Sequence, residues 1–352
     1  MKSFSILKIP DMIPNSWSEL TWQQLRLCWE VKMRYGGNPD VARAAAWLSL
    51  SGFSVCRGSA TTISETTGET CYTLQDHDGK RWTVTAREAA QLASQSLPWF
   101  DYPYGDPGEK EEVDDKGKMV KPRREAVSGY VSGFRDAMVL PETEVTVDGA
   151  VFALPQVACN NITWQQYRSL QNIVPQLFSD SLDDEQVIDL HAQFLAHILV
   201  PAQQNEVGSD PFCPKLSFRY NAERAEQTIP FWRERLKNEE LRMKNEESAN
   251  FSLSTLHFSL SLFHICFQVY HTAILYYERS CPLLFTGGGK SQEFRDALQG
   301  EVGTVNSVMK YQGYSDPQQV YDANLPIILD TLNTMAKEAK EIEKMNAKMK
   351  KK

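Results

Sequence analysis

One heptapeptide occurs twice in this chain, and it constrains the fold more than any other feature. The first copy, Leu-Thr-Trp-Gln-Gln-Leu-Arg, is residues 20–26, and the second, Ile-Thr-Trp-Gln-Gln-Tyr-Arg, is residues 162–168. Thr-x-x-Gln is a capping box, in which the Thr hydroxyl accepts a hydrogen bond from the backbone N–H three residues on and the Gln side chain reaches back to the Thr N–H. The repeat therefore predicts two helices of common design, capped by Thr21 and Thr163.

The residues behind both caps recur at the spacing of a helix face, through about Tyr35 in the first copy and about Phe178 in the second. The apolar stripes are Trp22, Leu25, Trp29 and Met33, and then Trp164, Tyr167, Leu170 and Val174. Tryptophans on a periodic apolar face are typical core anchors, and we favour that interpretation over base stacking or ligand binding. A strand-like run ending in Pro10 or Pro155 precedes each copy, so we interpret the two regions as related modules.

Other local signals predict a mainly α fold with small β-hairpins (α+β). Asp-Gly pairs at 78–79 and 148–149 lie between strand-like runs and predict hairpin turns. A charged helix is expected over residues 221–247, with Pro230 near its start or kinking it, and Pro326 is expected to kink the last helix. Further helices are predicted to begin at Asn38, Thr85, Asp183 and Asp316.

Composition divides the chain into five predicted segments. The charged run from Glu109 to Glu125 is acidic first and basic later, and it is interpreted as an exposed linker. The segments are a first helical module with a hairpin at 1–100, a charged linker or loop at 101–139, a second related module at 140–200, a loop and charged helix at 201–250, and a C-terminal helical region with a Lys-rich tail at 251–352.

The stretch from 251 to 277 contains no Asp, Glu, Lys or Arg. Its polar residues recur at spacings of three and four, which places them in one stripe on a helix: Ser254, His257, Ser261, His264, Gln268 and His271. We predict a mostly buried helix with a narrow polar seam, and a membrane-spanning helix is the less favoured alternative. Histidines seven residues apart are separated by roughly 10 Å of helical rise, so two of them cannot bind one metal ion within this helix. The pattern leaves open whether the stripe faces solvent or an interface.

Composition also bounds the functional classes. The net charge of −8 argues against general nucleic-acid binding, and seven scattered cysteines fit free thiols in a reducing cytosol. The start of the chain does not resemble a secretory signal. Residues 287–291, Gly-Gly-Gly-Lys-Ser, lack the first glycine of a phosphate-binding loop, so a flexible turn is favoured there. We therefore predict no catalytic, cofactor-binding or metal-binding residues, and no cofactor.

Several stretches together resemble a family. They are the Trp-Ser-Glu-Leu-Thr-Trp-Gln-Gln-Leu helix start at 17–25, the Asp-Gly hairpin, Leu-Pro-Trp-Phe-Asp-Tyr-Pro at 97–103, Tyr-Gln-Gly-Tyr-Ser-Asp-Pro at 311–317, and the long Lys/Glu/Met helix that follows. This layout resembles uncharacterised tail-region proteins of tailed phages and prophages of Bacteroides-type bacteria, some of which are similar to tail assembly chaperones. The duplicated module departs from the small single-module chaperones.

The resemblance implies a non-enzymatic protein that acts through protein–protein contacts with tail components, either the tape-measure or the tail-tube protein. It implies location in the host bacterial cytoplasm, with association with the virion as a further option. A homo-oligomer is a further possibility, and neither nucleic acid nor a membrane is expected as a partner. A structural virion connector or adaptor is the alternative. An enzyme with an unrecognised site, using nucleotide through Lys290 and Ser291, is the less favoured hypothesis.

Overall fold

The computed structural model describes residues 13–35, 38–56, 62–63, 70–75, 78–101, 112–113, 119–120, 140–179, 181–204, 216–246, 258–285 and 294–349. Helices dominate and short antiparallel strands make up the remaining regular structure, which confirms the predicted mainly α fold with small β-hairpins. The strand predicted at residues 3–9, most of the predicted linker at 101–139, and the Gly-Gly-Gly-Lys-Ser turn at 287–291 lie outside the described residues.

The elements follow in chain order. The helices are α1 Trp22–Tyr35, α2 Pro39–Leu50, α3 Ala86–Ser96, α4 Trp164–Ile173, α5 Asp184–Ile198, α6 Ala222–Glu246, α7 Phe258–Ser280, α8 Pro282–Phe285, α9 Phe294–Gln312, α10 Pro317–Asp322 and α11 Leu325–Met349. The strands are β1 Ser54–Val55, β2 Thr62–Ile63, β3 Thr70–Gln75, β4 Arg81–Thr85, β5 Glu112–Val113, β6 Met119–Val120, β7 Glu144–Val147, β8 Ala150–Ala153, β9 Val200–Pro201, β10 Gln203–Gln204 and β11 Leu216–Ser217. Short 3-10 turns are Trp17–Glu19, Val157–Cys159 and Val174–Phe178.

The chain forms two compact units, each containing one copy of the heptapeptide. The first unit is Met1–Pro141 with Ala249–Gln268, and the second is Glu142–Ser248 with Val269–Lys352. The helix α7 therefore contributes its first half to one unit and its second half to the other. The C-terminal region predicted as one segment at 251–352 is divided between the two units.

Both copies of the heptapeptide form the predicted capping box. In the first copy, the Gln24 backbone N–H donates to Thr21 Oγ1 over 3.3 Å, and Gln24 Oε1 accepts from the Thr21 N–H over 2.9 Å. In the second copy, the same two hydrogen bonds join Thr163 and Gln166 over 3.2 Å and 3.0 Å. The other predicted caps are also observed, at Asn38, Thr85, Asp183 and Asp316.

Tryptophans form the centre of the first unit, where α1, α2 and α3 pack beside the antiparallel sheet of β1 to β4. Trp17 Nε1 donates to the Trp99 carbonyl and Trp99 Nε1 donates to the Pro14 carbonyl, each over 3.0 Å. The ring of Trp17 also stacks on Phe100, with centroids 5.9 Å apart. Both of these indole N–H groups are satisfied inside the core. Of the two tryptophans predicted as anchors in this module, Trp29 is buried in the core and Trp22 packs against it half-buried.

The second unit packs its sheet of β7, β8 and β9 against helices. Phe152, on the inner face of β8, lies 5.2 Å from the fully buried ring of Trp232 in α6. The β7–β8 connection is the predicted Asp-Gly turn, with φ of 49° at Asp148 and 81° at Gly149. Positive φ at both central positions is what a tight hairpin turn of this hand requires, and Asp-Gly meets that requirement at low cost.

The second module helix ends earlier than predicted. It was expected to run to about Phe178, but α4 ends at Ile173 and the chain continues as the 3-10 turn Val174–Phe178. Pro175 explains the difference, because it has no N–H to donate the next hydrogen bond of an α-helix.

The prediction that Pro326 kinks the last helix is wrong. The chain forms two separate helices, α10 and α11, joined by extended residues in which Ala323 has ψ of 144°. Pro326 lies in the first turn of α11, where its missing N–H removes no helical hydrogen bond. The break is therefore made before the proline, at a point where the backbone of residues 323–325 pairs with the second module.

Candidate functional site

The polar stripe of α7 is packed inside the protein where the structure describes it. Ser261 and Gln268 are buried, and Gln268 Oε1 accepts a hydrogen bond from Trp29 Nε1 over 2.9 Å. The His264 ring stacks on Trp29 with centroids 5.2 Å apart and planes 10° from parallel, and burial lowers the pKa of His264 to about 4. His264 is therefore a neutral ring at neutral pH. The first two residues of the stripe, Ser254 and His257, lie outside the described residues.

The other described histidine of the stripe, His271, lies in the second unit. His271 is half-buried, its ring lies 6.4 Å from that of Phe178, and burial lowers its pKa against the opposing charge of Glu278. In the part of the chain that the structure describes, no three His, Cys, Asp or Glu side chains come together as metal ligands. The stripe thus forms packing contacts within each unit.

A buried hydrogen-bonded chain that the sequence did not predict lies in the second unit. His197 Nδ1 is 2.7 Å from Tyr220 Oη, which is 3.3 Å from Ser169 Oγ. Burial lowers the pKa of His197 and raises that of Tyr220. All three groups are therefore neutral near pH 7. Tyr220 lies between His197 and the Ser169 hydroxyl, which is the group that the histidine would have to activate. No sequence signal could have found this chain, because its members come from three separate elements.

A pocket of about 420 Å³ lies beside Tyr220. Its walls combine amides with one ion pair, in which Arg219 Nη2 lies 2.6 Å from Asp322 Oδ2. Asn161 donates to the Leu154 carbonyl over 2.9 Å and accepts from the Gln156 N–H over 2.8 Å. The lining is Thr143, Glu144, Ala153, Gln156, Asn161, Thr163, Gln166, Val200, Phe218, Arg219, Tyr220, Asp322 and Asn324. Both hydrogen bonds of the Asn161 amide end on backbone groups, so this amide serves the fold.

The described cysteines are free thiols, as predicted: residues 28, 56, 71, 159, 266 and 281. Burial raises the pKa of Cys28 to about 12 and also raises the pKa of Cys159. A thiol must ionise to act as a nucleophile, so these two are inert at neutral pH. Next to Cys28, burial lowers the pKa of Lys32 to about 8, and its ammonium donates to the Phe100 carbonyl over 3.0 Å.

The helix α11 has two different parts. At its base Leu325, Ile328 and Leu329 are buried. Every residue from Lys337 to Met349 is exposed, and at 1.5 Å per residue that part is about 20 Å long. We call residues 337–349 the C-terminal arm. Its apolar side chains lie on one face, and their exposed fractions are 54% for Ile342, 56% for Met345 and 68% for Met349.

One helix is long and apolar enough to span a bilayer by length and hydropathy. It is Phe258–Glu278, and 67% of its apolar window is buried within the protein. Helices in the core of soluble proteins meet the same criterion, so the finding is weak evidence for a membrane span.

Comparisons with protein-family models, with curated proteins and with solved structures find no match for this chain. The features that bear on its function are therefore its own. They are the duplicated module, the packed polar stripe, the neutral hydrogen-bonded groups His197, Tyr220 and Ser169, and the C-terminal arm. Among the described residues, the arm is the longest continuous run of exposed helical residues.

Proposed function

We propose that this protein is a non-enzymatic phage tail assembly or tail-associated protein that acts through protein–protein contacts, in the manner of a chaperone for tail components. The observation that carries the proposal is the C-terminal arm. It extends from a buried base, it is helical, and it presents an apolar stripe that nothing in the described part of the chain covers.

The stripe has the energetic properties of a docking face. Burying a Met or Ile side chain fully is worth about 1.5 to 3 kcal/mol, and these three are about half exposed or more. Docking would therefore recover about 1 to 1.5 kcal/mol from each. Methionine is flexible and polarisable, so Met345 and Met349 can adapt to an irregular groove. An amphipathic helix laid in an apolar groove is a recurring mode of peptide recognition.

Charge defines the complementary surface. Residues 337–352 contain seven lysines and three glutamates, within a chain whose net charge is −8. This excess of lysines favours a partner whose apolar groove is set in an acidic surface, and it disfavours a basic partner. We therefore propose that the tape-measure or tail-tube protein presents such a groove to the arm.

The test is capture of the tape-measure or tail-tube protein, co-expressed from the same genome, by the full chain carrying an N-terminal tag. The double variant Ile342→Ser/Met345→Ser should lose capture, because it removes the stripe without touching the buried base. A matched control, Lys344→Gln/Ala347→Ser, changes the opposite face and should retain it. Capture of neither protein by the unaltered chain, or equal capture by both variants, would contradict the proposal.

A second measurement separates the two roles included in the proposal. Mass spectrometry of purified particles should show no copies of a protein that only assists assembly. Retention in particles at a fixed stoichiometry would identify a tail-associated component instead, and detection of the protein on particles without tails would argue against either role.

A further inference from the structure

The second copy of the heptapeptide is closed by a reciprocal backbone contact. The Trp164 N–H donates to the Ala323 carbonyl over 2.8 Å, and the Leu325 N–H donates to the Ile162 carbonyl over 2.7 Å. These two hydrogen bonds flank Thr163 and Asn324, which face each other as an antiparallel bridge. Each helix thus satisfies the first N–H of the other, a group that has no partner within its own helix.

This contact is symmetric in its chemistry. On both sides the carbonyl comes from the residue before the cap and the N–H from the first helical residue. An antiparallel bridge has a local two-fold axis between the two paired residues. A helix start of this kind is therefore complementary to another helix start of the same kind, including a copy of itself.

The first copy of the heptapeptide has the same capping box and the same pattern of burial. The segments that lead into the two caps differ, because the 3-10 turn ends directly before Leu20 in the first module but three residues before Ile162 in the second, where Ala158 and Cys159 have positive φ. The buried positions also coincide: Leu20 corresponds to Ile162, Leu25 to Tyr167, Cys28 to Leu170, and Val31 to Ile173. The two helix starts therefore present their backbone in the same way relative to their cores.

The first copy differs in its backbone partners. No residue in the described part of the chain pairs with the Leu20 carbonyl or the Trp22 N–H. Thr21 is exposed and Trp22 half-buried, whereas Thr163 is half-buried and Trp164 is 7% exposed. We call Leu20, Thr21 and Trp22 the open cap.

We propose that the open cap is a self-association site, at which Leu20, Thr21 and Trp22 of two copies of this chain pair through the same reciprocal bridge that residues 162–164 form with residues 323–325. The Trp22 N–H of each copy donates to the Leu20 carbonyl of the other, and the two-fold axis passes between the two Thr21 residues. Such an interface is isologous and closes at a dimer. It is separate from the C-terminal arm, so it stands or falls independently of the proposed function.

The physical terms predict a weak, concentration-dependent dimer. The bridge contributes two hydrogen bonds, each worth about 0.5 to 1.5 kcal/mol net, and apolar contact around two half-buried Trp22 rings. Stable dimers bury about 1,200 Å² or more in total, which one bridge does not provide. The pairing is therefore best trapped covalently.

The geometry of the bridge allows the dimer to be captured by a disulfide cross-link. Residues that face each other between flanking hydrogen bonds have Cα atoms about 4.5 Å apart, within the range that a disulfide spans. The Thr21→Cys full chain should form a disulfide-linked dimer in a glutathione redox buffer, resolved by non-reducing electrophoresis and identified by mass spectrometry as a 21–21 linkage. Gln23→Cys, an exposed position two residues away, is the matched control and should dimerise at least tenfold less. The double variant Thr163→Cys/Asn324→Cys should form an intramolecular disulfide, which verifies the bridge that serves as the template.

A second pair of variants isolates the backbone hydrogen bonds. Thr21→Cys/Trp22→Pro and Thr21→Cys/Trp22→Ala both lose the indole, but only proline loses the N–H, and proline is well tolerated at the first position of a helix. The Ala variant should still dimerise and the Pro variant should do so at least tenfold less, because two hydrogen bonds are lost per dimer. Helical content and thermal melting by circular dichroism check that both remain folded. Equal dimer yields from the Pro and Ala variants, or from Thr21→Cys and Gln23→Cys, would overturn the proposal.

Discussion

The two copies of one capping box should differ in their contribution to stability, because their glutamines have different surroundings. Gln24 is half-buried, and its side-chain oxygen accepts a hydrogen bond from the Thr21 N–H. Gln166 is 1% exposed, returns to the Thr163 N–H, and in addition donates from Nε2 to the His197 carbonyl over 3.1 Å. The same substitution in the two copies therefore removes different interactions.

The magnitudes follow from those contacts. Gln24→Ala loses one net hydrogen bond, or about 0.5 to 1.5 kcal/mol. Gln166→Ala loses the equivalent bond and leaves the buried His197 carbonyl without its partner, which adds about 1 to 3 kcal/mol. The space left by a fully buried side chain adds about 1 kcal/mol more. We expect Gln166→Ala to destabilise its unit by about 2.5 to 5.5 kcal/mol, at least 1 kcal/mol more than Gln24→Ala destabilises the other unit.

Native-state hydrogen exchange read by mass spectrometry suits this comparison, because peptides from α1 and α4 report the two units separately. Gln166→Met is the control, since it refills the space without restoring the donor, and it should recover only the smaller part of the loss. If Gln24→Ala and Gln166→Ala lower protection of their own helices by the same free energy, within about 0.5 kcal/mol, the assignment of Gln166 to the His197 carbonyl is wrong.

Three further predictions concern the first unit and the C-terminal arm. Trp29→Phe should destabilise the first unit by about 1 to 3 kcal/mol in urea denaturation, because it leaves the buried Gln268 carbonyl oxygen without its indole donor; no measurable loss would contradict that contact. Burial holds the pKa of His264 at about 4, below about 6.5 in the unfolded chain, so the unfolded state binds the extra proton as pH falls from 6.5 to 4. Stability should decrease by about 2 kcal/mol between pH 7 and pH 5, and His264→Gln should lack that part of the decrease in urea titrations at the two pH values. Truncation after Ala336 should leave the melting temperature nearly unchanged, because every described residue beyond it is exposed, and a decrease of more than about 4 °C would show that the arm packs on the unit.

The sequence pointed to one of the two proposed interaction surfaces, the C-terminal arm, and not to the other, the open cap. The sequence predicted a C-terminal helical region with a Lys-rich tail, because helical spacing such as that of Ile342, Met345 and Met349 is visible without a fold. It did not indicate where the arm separates from its buried base, since that depends on which neighbours cover the first turns of α11. The open cap could not be recognised at all, because the two heptapeptides are nearly identical and only their surroundings differ.

The stripe of α7 shows a similar limit. Its spacing predicted one face of one helix, and the helix is present. Sequence could not assign His264 to the first unit and His271 to the second, because that depends on the chain returning to the first unit after the whole of residues 142–248 and then leaving it within α7.

The sequence by itself determined the helix starts and tight turns of this protein. Thr21, Thr163 and the Asp148–Gly149 turn act through hydrogen bonds and dihedral preferences within a few residues, so their outcome is independent of the rest of the chain. The tertiary structure alone decided what each repeated element meets. Residues 323–325 pair with the second helix start, whereas no described residue pairs with the backbone of the first. A backbone bridge depends on long-range proximity, which a seven-residue motif does not encode.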